Sequence, residues 1–389
     1  MTVRSVFRAL LLEIRDSVFP ILDSFFLYGR QEGKGGVAVV RLDAIGDFIL
    51  WLPFAQVYRQ LYPDQKIVLF ANEAWADFAR SFAFWDDVVS VRVDDLVYSP
   101  LYRWRMLYNI SKYGFSVAIH PTCSRVLLKG DSLVRATKAH ERIGSAGDQS
   151  NISARHKAVS DSWYTRLVPM NLRLIAELER NAEFFRGLGG ERQHLLPMGD
   201  VPGGEVHVSV PAGAYVVLFP GASWEGRRWP VSRFAELAQW LFRSFGLWVV
   251  ICGSENERHL AEMLVGGAGV PNISNFAGKT TLAEFAMLIQ RATLLIGNET
   301  SAIHLASAVG TPSICLLGGG HFGRFVPYPK DWSGCQPRPV YFVMDCYGCN
   351  WRCTKPRAPG GCVPCIDAIS LDAVKREVSR LMHELPRVS

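Results

Sequence analysis

No uninterrupted apolar run in this 389-residue chain is long enough to span a bilayer or to act as a cleaved export signal. The sequence therefore predicts a cytoplasmic protein whose only membrane contact would be peripheral, at the inner face. Charge is also scarce. Charged residues make up 20% of the chain and the net charge is +6, a balance that does not call for nucleic acid when no recognition motif accompanies it. The same modest excess suits an anionic donor and anionic acceptor glycolipids. No short-period repeat and no low-complexity segment interrupts the chain, and 49% hydrophobic residues are typical of a globular protein, not of a disordered one.

What is present points to two domains, since 389 residues exceed one ordinary core. Residues 1–35 form an amphipathic segment: Val3, Phe7, Leu10, Ile14, Val18, Ile21 and Phe25 recur at helical spacing, with Arg4, Arg8 and Arg15 on another face and Pro20 as a kink. Such a helix packs on its own domain, on a membrane surface or on another copy in a homo-oligomer. Residues 36–197 alternate strand-like runs, at Val37–Leu42, Ile67–Ala71, Val88–Val93 and Phe115–His120, with helical stretches, among them Tyr164–Leu188. Residues 198–214, rich in Pro and Gly, read as a linker together with Pro197. A second alternating block, 215–370, has strands at Tyr215–Pro220, Leu247–Cys252, Thr293–Ile296 and Ser313–Leu317, and helices at Ser232–Phe245, Thr281–Arg291 and Ser301–Val309. A last helix, Leu371–Leu385, lies within 371–389. Alternation of this kind predicts an α/β fold with parallel sheets covered on both faces.

Open sheets of this class bind ligands beyond the carboxyl ends of their strands. Four loops occupy such positions. In Arg41-Leu42-Asp43-Ala44-Ile45-Gly46-Asp47, Asp47 sits at a helix start, where it serves either as an N-cap or as a general base. In Pro220–Pro230, the Ser223 hydroxyl and the Arg227 and Arg228 guanidiniums are suited to a diphosphate, with plain surface charge as the other reading. The acidic end of Ile251–Glu257 either accepts from ribose hydroxyls or favours a helix start electrostatically. In Gly297–His304, backbone N–H groups with Thr300 and Ser301 make an anion site, and His304 either points into it or is structural. The run Gly318–Phe325 adds flexible glycines and Arg324.

These pieces together resemble glycosyltransferase family 9, the heptosyltransferase-like family. The matching stretches are Val40–Asp47 with Leu52-Pro53, Pro220–Ser223 with Arg228-Trp229-Pro230, Ala277–Leu282, and most specifically Gly297–Pro312. The resemblance implies a GT-B fold, two Rossmann-like doubly wound domains facing a central cleft, and an inverting transfer needing no cofactor. It implies Asp47 as base, Arg227 helped by Arg228 on the donor phosphates, and Ser223, Thr300 and Ser301 completing that site. Glu257, Lys279 and Thr280 then lie near the nucleoside, Asn298, Glu299 and His304 near the donor, and Arg41 and Asp43 on the acceptor side. The implied donor is a nucleotide sugar, ADP-heptose first, and the implied acceptor is lipopolysaccharide or another surface glycan. A protein (autotransporter) acceptor, a sugar-nucleotide epimerase and a non-catalytic nucleotide-sugar-binding scaffold are the alternatives. One departure stands out: Glu299-Thr300-Ser301 replaces the family's Asp-Thr-Gly, which alters the space beside the donor sugar.

Five of the nine cysteines crowd into 346–365 as C-x2-C-x3-C-x8-C-x2-C. In a cytoplasmic protein two Cys-x2-Cys pairs favour metal over disulfides. The spacing predicts structural zinc, or iron, on Cys346, Cys349, Cys362 and Cys365, with Cys353 left out, away from sugar transfer or at a subunit contact.

Overall fold

The computed structural model describes residues 3–27, 35–173, 176–190, 198, 201–202, 206–330, 332 and 334–385. Pro197, Gly199, Gly203 and Gly204 of the expected linker lie outside the described residues. The chain divides into two units, Met1–Leu174 with Glu179–Arg192, and Ile175–Leu178 with Gln193–Ser389.

The first unit holds β1 (Val37–Arg41), β2 (Ile67–Asn72), β3 (Asp87–Val91), β4 (Val117–His120), β5 (Glu141–Ser145) and β6 (Arg166–Val168), ordered β3-β2-β1-β4-β5-β6. All pairings are parallel. β1 is buried along its whole length because both faces are covered by helices, which is why it reads as a continuous apolar run. The second unit repeats the scheme with β7 (Tyr215–Phe219), β8 (Trp248–Ile251), β9 (Ile273–Asn275), β10 (Leu294–Asn298), β11 (Ser313–Leu316) and β12 (Arg338–Val340). Their order is β12-β11-β10-β7-β8-β9, again wholly parallel. In both sheets the connections run in opposite directions from the central pair, β1/β4 and β7/β10. Each pair is therefore a topological switch point, where loops splay apart and leave a crevice.

One expected element takes another form. The predicted helix Tyr164–Leu188 is a strand, β6, followed after Pro169 by a helix over Glu177–Gly187; Pro169 restricts Val168 to an extended backbone, and β5 supplies the ladder partner. The N-terminal helix, Val3–Phe26, runs on through Pro20. The carbonyl of Pro20 accepts from Ser24 Oγ (3.1 Å) and Arg135 Nη1 (2.7 Å), which anchors the helix there. Its Asp23 is buried against Arg103, which is 0% exposed, at 2.5 Å. Among the described residues no helix is long and apolar enough to cross a membrane. At the other end, the helix Leu371–Glu384 packs Val374, Val378 and Leu381 into the core of the second unit, so it belongs to that unit.

Candidate active site

In the second unit, the loops after β7 and β10 meet at the switch point. Gly297 lets them approach: a Cβ there would lie 2.9 Å from the Phe219 carbonyl oxygen. Asn298, fully buried, ties the loops together. Its Oδ1 accepts from Trp229 N (2.9 Å) and its Nδ2 donates to the Pro220 (2.8 Å) and Gly221 (3.2 Å) carbonyls. Arg228 folds back onto the Ala222 carbonyl through Nε and Nη2 (3.1 and 3.0 Å), which shapes the turn carrying the exposed Ser223.

Arg227 Nη2 donates to the Glu299 carbonyl (2.6 Å) and reaches its carboxylate at 3.3 Å. Glu299 is only 3% exposed. Burial, partly offset by Arg227 and Arg324, pushes its carboxyl up to about 7. Thr300 caps the following helix, Ser301–Ala308, with its backbone alone. Arg227 Nε, Glu299 Oε1 and Thr300 Oγ1 are buried atoms without a hydrogen-bond partner among the described residues. Three such neighbouring groups are costly in a finished core and natural where a polar ligand completes them.

Other predicted donor residues are placed as follows. Glu257 closes a capping box with Ser254, accepting from its N and Oγ at 2.8 Å each, so the helix-start reading is realised. The same carboxylate lies against Gly221, where a Cβ would come within 2.0 Å of Oε1. Lys279 donates to the Asn275 carbonyl (2.9 Å), and Thr280 directly precedes the capping residue Thr281. His304 is buried with Nδ1 2.8 Å from the Tyr328 hydroxyl. Burial, with Arg227 adding, lowers its pKa to about 3, which keeps the imidazole neutral. Arg324 lies 3.3 Å from Glu177 and over the Phe325 ring.

In the first unit, Arg41 is buried at the end of β1. It pairs through Nε with Asp43 (2.8 Å) and donates to Asn181 Oδ1 (3.1 Å) and the Asp47 carbonyl (3.4 Å). Thr122 Oγ1 also donates to Asp43 (2.8 Å). Asp47 is half-buried at the third position of the helix Ile45–Ala55, and the N-cap is Ala44. The N-cap reading of Asp47 is thereby replaced, because the helix begins three residues earlier than the capping argument requires. Beside these residues lies a cavity of about 340 Å³, lined by Asp43, Asn72, Glu73, Asp94, His120, Thr122, Ser124 and Lys129 among others. His120, the last residue of β4, was read in the sequence only as the end of a strand. Its functional signal, a histidine at the carboxyl end of a central strand, was there to be used.

The family description glycosyltransferase family 9 (heptosyltransferase) matches residues 123–337, more than half of the chain. This chain belongs to glycosyltransferase family 9. Lipopolysaccharide heptosyltransferase 3 of Escherichia coli strain K12 is 30% identical over 137 residues, covering 34% of this chain and 40% of that protein. The alignment thus spans two fifths of that relative's length. Among solved structures, a family 9 glycosyl transferase from Veillonella parvula superposes with a TM-score of 0.66 at 18% identity, over 91% of this chain and 98% of that one. The E. coli heptosyltransferase WaaC with ADP-2-deoxy-2-fluoro heptose gives 0.63 at 18% identity, over 88% and 99%. The fold is GT-B, two Rossmann-like halves.

In this family 9 chain the cysteine segment is not remote from the arginine loop, contrary to the sequence-based placement. Asn350 and Trp351 adopt left-handed backbone (φ 50° and 59°), and the Trp351 ring lies 4.8 Å from the Arg227 guanidinium. Arg357 pairs with Glu225 (2.9 Å), and Val363 N donates to the Gly226 carbonyl (2.9 Å). The Gly318–Gly320 run serves this packing: a Cβ at Gly319 would strike Tyr347 at 2.3 Å and one at Gly320 would strike Trp351 at 2.3 Å. One small cavity is lined by Cys346, Cys349, Cys353 and Cys365, and Cys362 is not among its lining. Among the described residues no group of three or more His, Cys, Asp or Glu is arranged to hold an ion. The thiols are gathered without forming a coordination shell.

Proposed function

We propose that this chain transfers a sugar from a nucleoside diphosphate donor to a hydroxyl of lipopolysaccharide or another surface glycan, with inversion and without a catalytic metal. ADP-heptose is the first candidate donor, supported by the ADP-heptose analogue named with WaaC and by the heptosyltransferase relatives. The observation that carries the reading is the cluster of Arg227 Nε, Glu299 Oε1 and Thr300 Oγ1 at the carboxyl ends of β7 and β10, three buried polar groups awaiting partners.

Asp47 takes the proton of the acceptor hydroxyl, whose oxygen attacks the anomeric carbon. The bond from that carbon to the diphosphate oxygen breaks, and its electron pair leaves with the nucleoside diphosphate. Arg227 and the Thr300 hydroxyl stabilise the charge that grows on the leaving diphosphate, with Ser223 and Ser301 at its edges. Arg228 and Asn298 hold the loops that present these groups; Arg41 holds the loop that leads to Asp47. The longer Glu299, in place of aspartate, trims the space beside the donor sugar. Calorimetry with ADP, GDP, UDP and CDP tests the reading: one nucleotide should bind, and Arg227→Ala should weaken it. Unchanged affinity in both Arg227→Ala and Thr300→Ala would remove the donor from these loops.

Apart from catalysis, we propose that Cys346, Cys349, Cys353 and Cys365 take up one structural zinc or iron ion, Cys353 replacing Cys362 in the set. Four thiols on one cavity supply the soft donors such an ion prefers, and the one charged residue in the lining, Lys355, has its ammonium paired with Asp345 (2.9 Å). The outward row Ile14, Val18, Ile21 and Phe25 supports peripheral contact with the inner membrane face or with another copy.

A further inference from the structure

We infer that the cavity beside β1 and β4 is a subsite for an uncharged sugar, in which His120 Nε2 accepts a hydrogen bond from a ligand hydroxyl. The inference rests on the reading of the first unit as the acceptor half.

The direction of every hydrogen bond behind His120 is fixed by a buried ion pair. Asp131 is fully buried and accepts from Arg125 Nη1 (3.3 Å), Ser160 Oγ (2.6 Å) and Tyr164 Oη (2.6 Å). Burial opposes its ionisation, but His120, Arg125 and Ser160 outweigh that and hold the carboxyl down at about 2. Tyr164 has one proton, and it is spent on Asp131. Its oxygen, 2.8 Å from His120 Nδ1, must therefore accept, so Nδ1 carries the hydrogen. With Nδ1 the hydrogen-bearing nitrogen, also 3.2 Å from Asp131 Oδ1, Nε2 is the one left to accept. His120 is 3% exposed and lines the cavity. The backbone at Gly130 passes against the imidazole edge, where a Cβ would lie 2.3 Å from Nε2. Among the described residues Nδ1 has its partner, and Nε2 is the nitrogen left for a ligand.

The rest of the lining selects the ligand class. Thr122 and Ser124 contribute hydroxyls, Asn72 and Asn151 amides, and Asp43, Glu73 and Asp94 carboxylates, against one ammonium, Lys129. The Asp43 charge is matched from behind by Arg41, which leaves the two exposed carboxylates outnumbering Lys129. A phosphate or carboxylate would meet net repulsion here, whereas sugar hydroxyls find acceptors on several sides. This reverses the sequence-level expectation of an anionic acceptor, at least for the group seated in this cavity.

Saturation-transfer NMR on the full chain with ADP present tests the inference, using methyl α-D-glucopyranoside and methyl β-D-glucuronide as probes. The neutral glycoside should give signal and the glucuronide none. His120→Asn keeps a donor where Nδ1 stands and deletes the Nε2 acceptor; the neutral signal should fall roughly 3- to 10-fold, the worth of one hydrogen bond. His120→Gln, which restores an acceptor near Nε2, should recover it. Unchanged signal in His120→Asn, or preference for the glucuronide, overturns the inference. Should the buried variants fail to fold, Glu73→Gln with Asp94→Asn, both exposed, decides: glucuronide binding should rise to match the neutral glycoside, and persistent discrimination overturns the proposal. ADP calorimetry on the same samples reports the donor site separately. Lost ADP binding with intact glycoside binding counts against the transferase reading and not against the subsite.

Discussion

β1/β4 in the first half and β7/β10 in the second are counterparts, the central pair of sheets with the same strand order, and polar groups collect beyond the carboxyl end of each pair. At the first, an arginine is used up internally. Arg125 is committed to Asp131 and Asp161, Arg41 to Asp43, and what lines the cavity is a histidine, hydroxyls, amides, carboxylates and the Lys129 ammonium. At the second, Arg227 keeps part of its guanidinium unmatched, facing a carboxyl that burial holds near neutrality. On the readings proposed above, the same topology serves a hydroxyl-bearing ligand in one half and an anion in the other. The difference lies in whether the nearest carboxyl is held below its ordinary pKa or pushed above it.

If that division holds, variants in the two halves should fail in different measurements. The largest effect is expected from Asp47→Asn, which should lower the transfer rate by about 10² to 10⁴ while leaving nucleotide affinity by calorimetry unchanged; a loss of affinity instead would blur the two halves into one site. Next comes the pH response of Glu299. Its folded pKa of about 7 lies above the ordinary value of 4.5, so between those pH values the unfolded chain releases a proton that the folded chain keeps. Stability should fall as pH rises through that window and level off above it, by on the order of 3 kcal/mol in all. Urea unfolding across the window should show this slope flattened in Glu299→Gln. A flat profile across this window, with stability falling only as pH drops below 4.5, would mean that Glu299 is ionised and matched, as Asp131 is.

Arg227→Ala should weaken nucleotide binding by roughly 10- to 100-fold, the worth of a charge-assisted hydrogen bond, with glycoside binding in the first half untouched. The smallest effect concerns the part of the second half with no counterpart in the first. Chelation, or Cys349→Ser, should remove about one ion per chain by elemental analysis and lower the melting midpoint by about 2–4 °C, as for a loss near 1 kcal/mol. Metal-free protein with unchanged melting would leave the thiols as packing alone.

The central strands were legible because burial on both faces writes them as unbroken apolar runs: Val37–Arg41, Tyr215–Phe219 and Trp248–Ile251 fall where those runs do. Four others were not. Glu141–Ser145, Arg166–Val168, Ile273–Asn275 and Arg338–Val340 are short and carry polar residues, and only a neighbouring strand makes them strands at all. The place of the arginine loop was legible because a glycine turn ends the β7 run, but its residues alone left the arginines between a diphosphate and plain surface charge. His120 was not, because what gives it meaning is Asp131, Tyr164 and Arg125, which arrive from other loops. The Cys segment misled in a similar way: spacing pairs Cys362 with Cys365, whereas the chain's path brings Cys353 to the cavity in its place.

Arg103 carries one further consequence. It donates to Asp23, to the Leu96 and Leu128 carbonyls and to Ser132 Oγ, all inside the first half. The N-terminal helix is consequently a wall of that half, not an appendage to it. A chain begun at Gly36 would keep the guanidinium and lose its counter-charge, and the loss would be felt along the helical turn that runs on from Leu128 to Lys129 and Gly130. The outward row of that helix is thereby held in fixed register with the lining of the cavity beside β1 and β4.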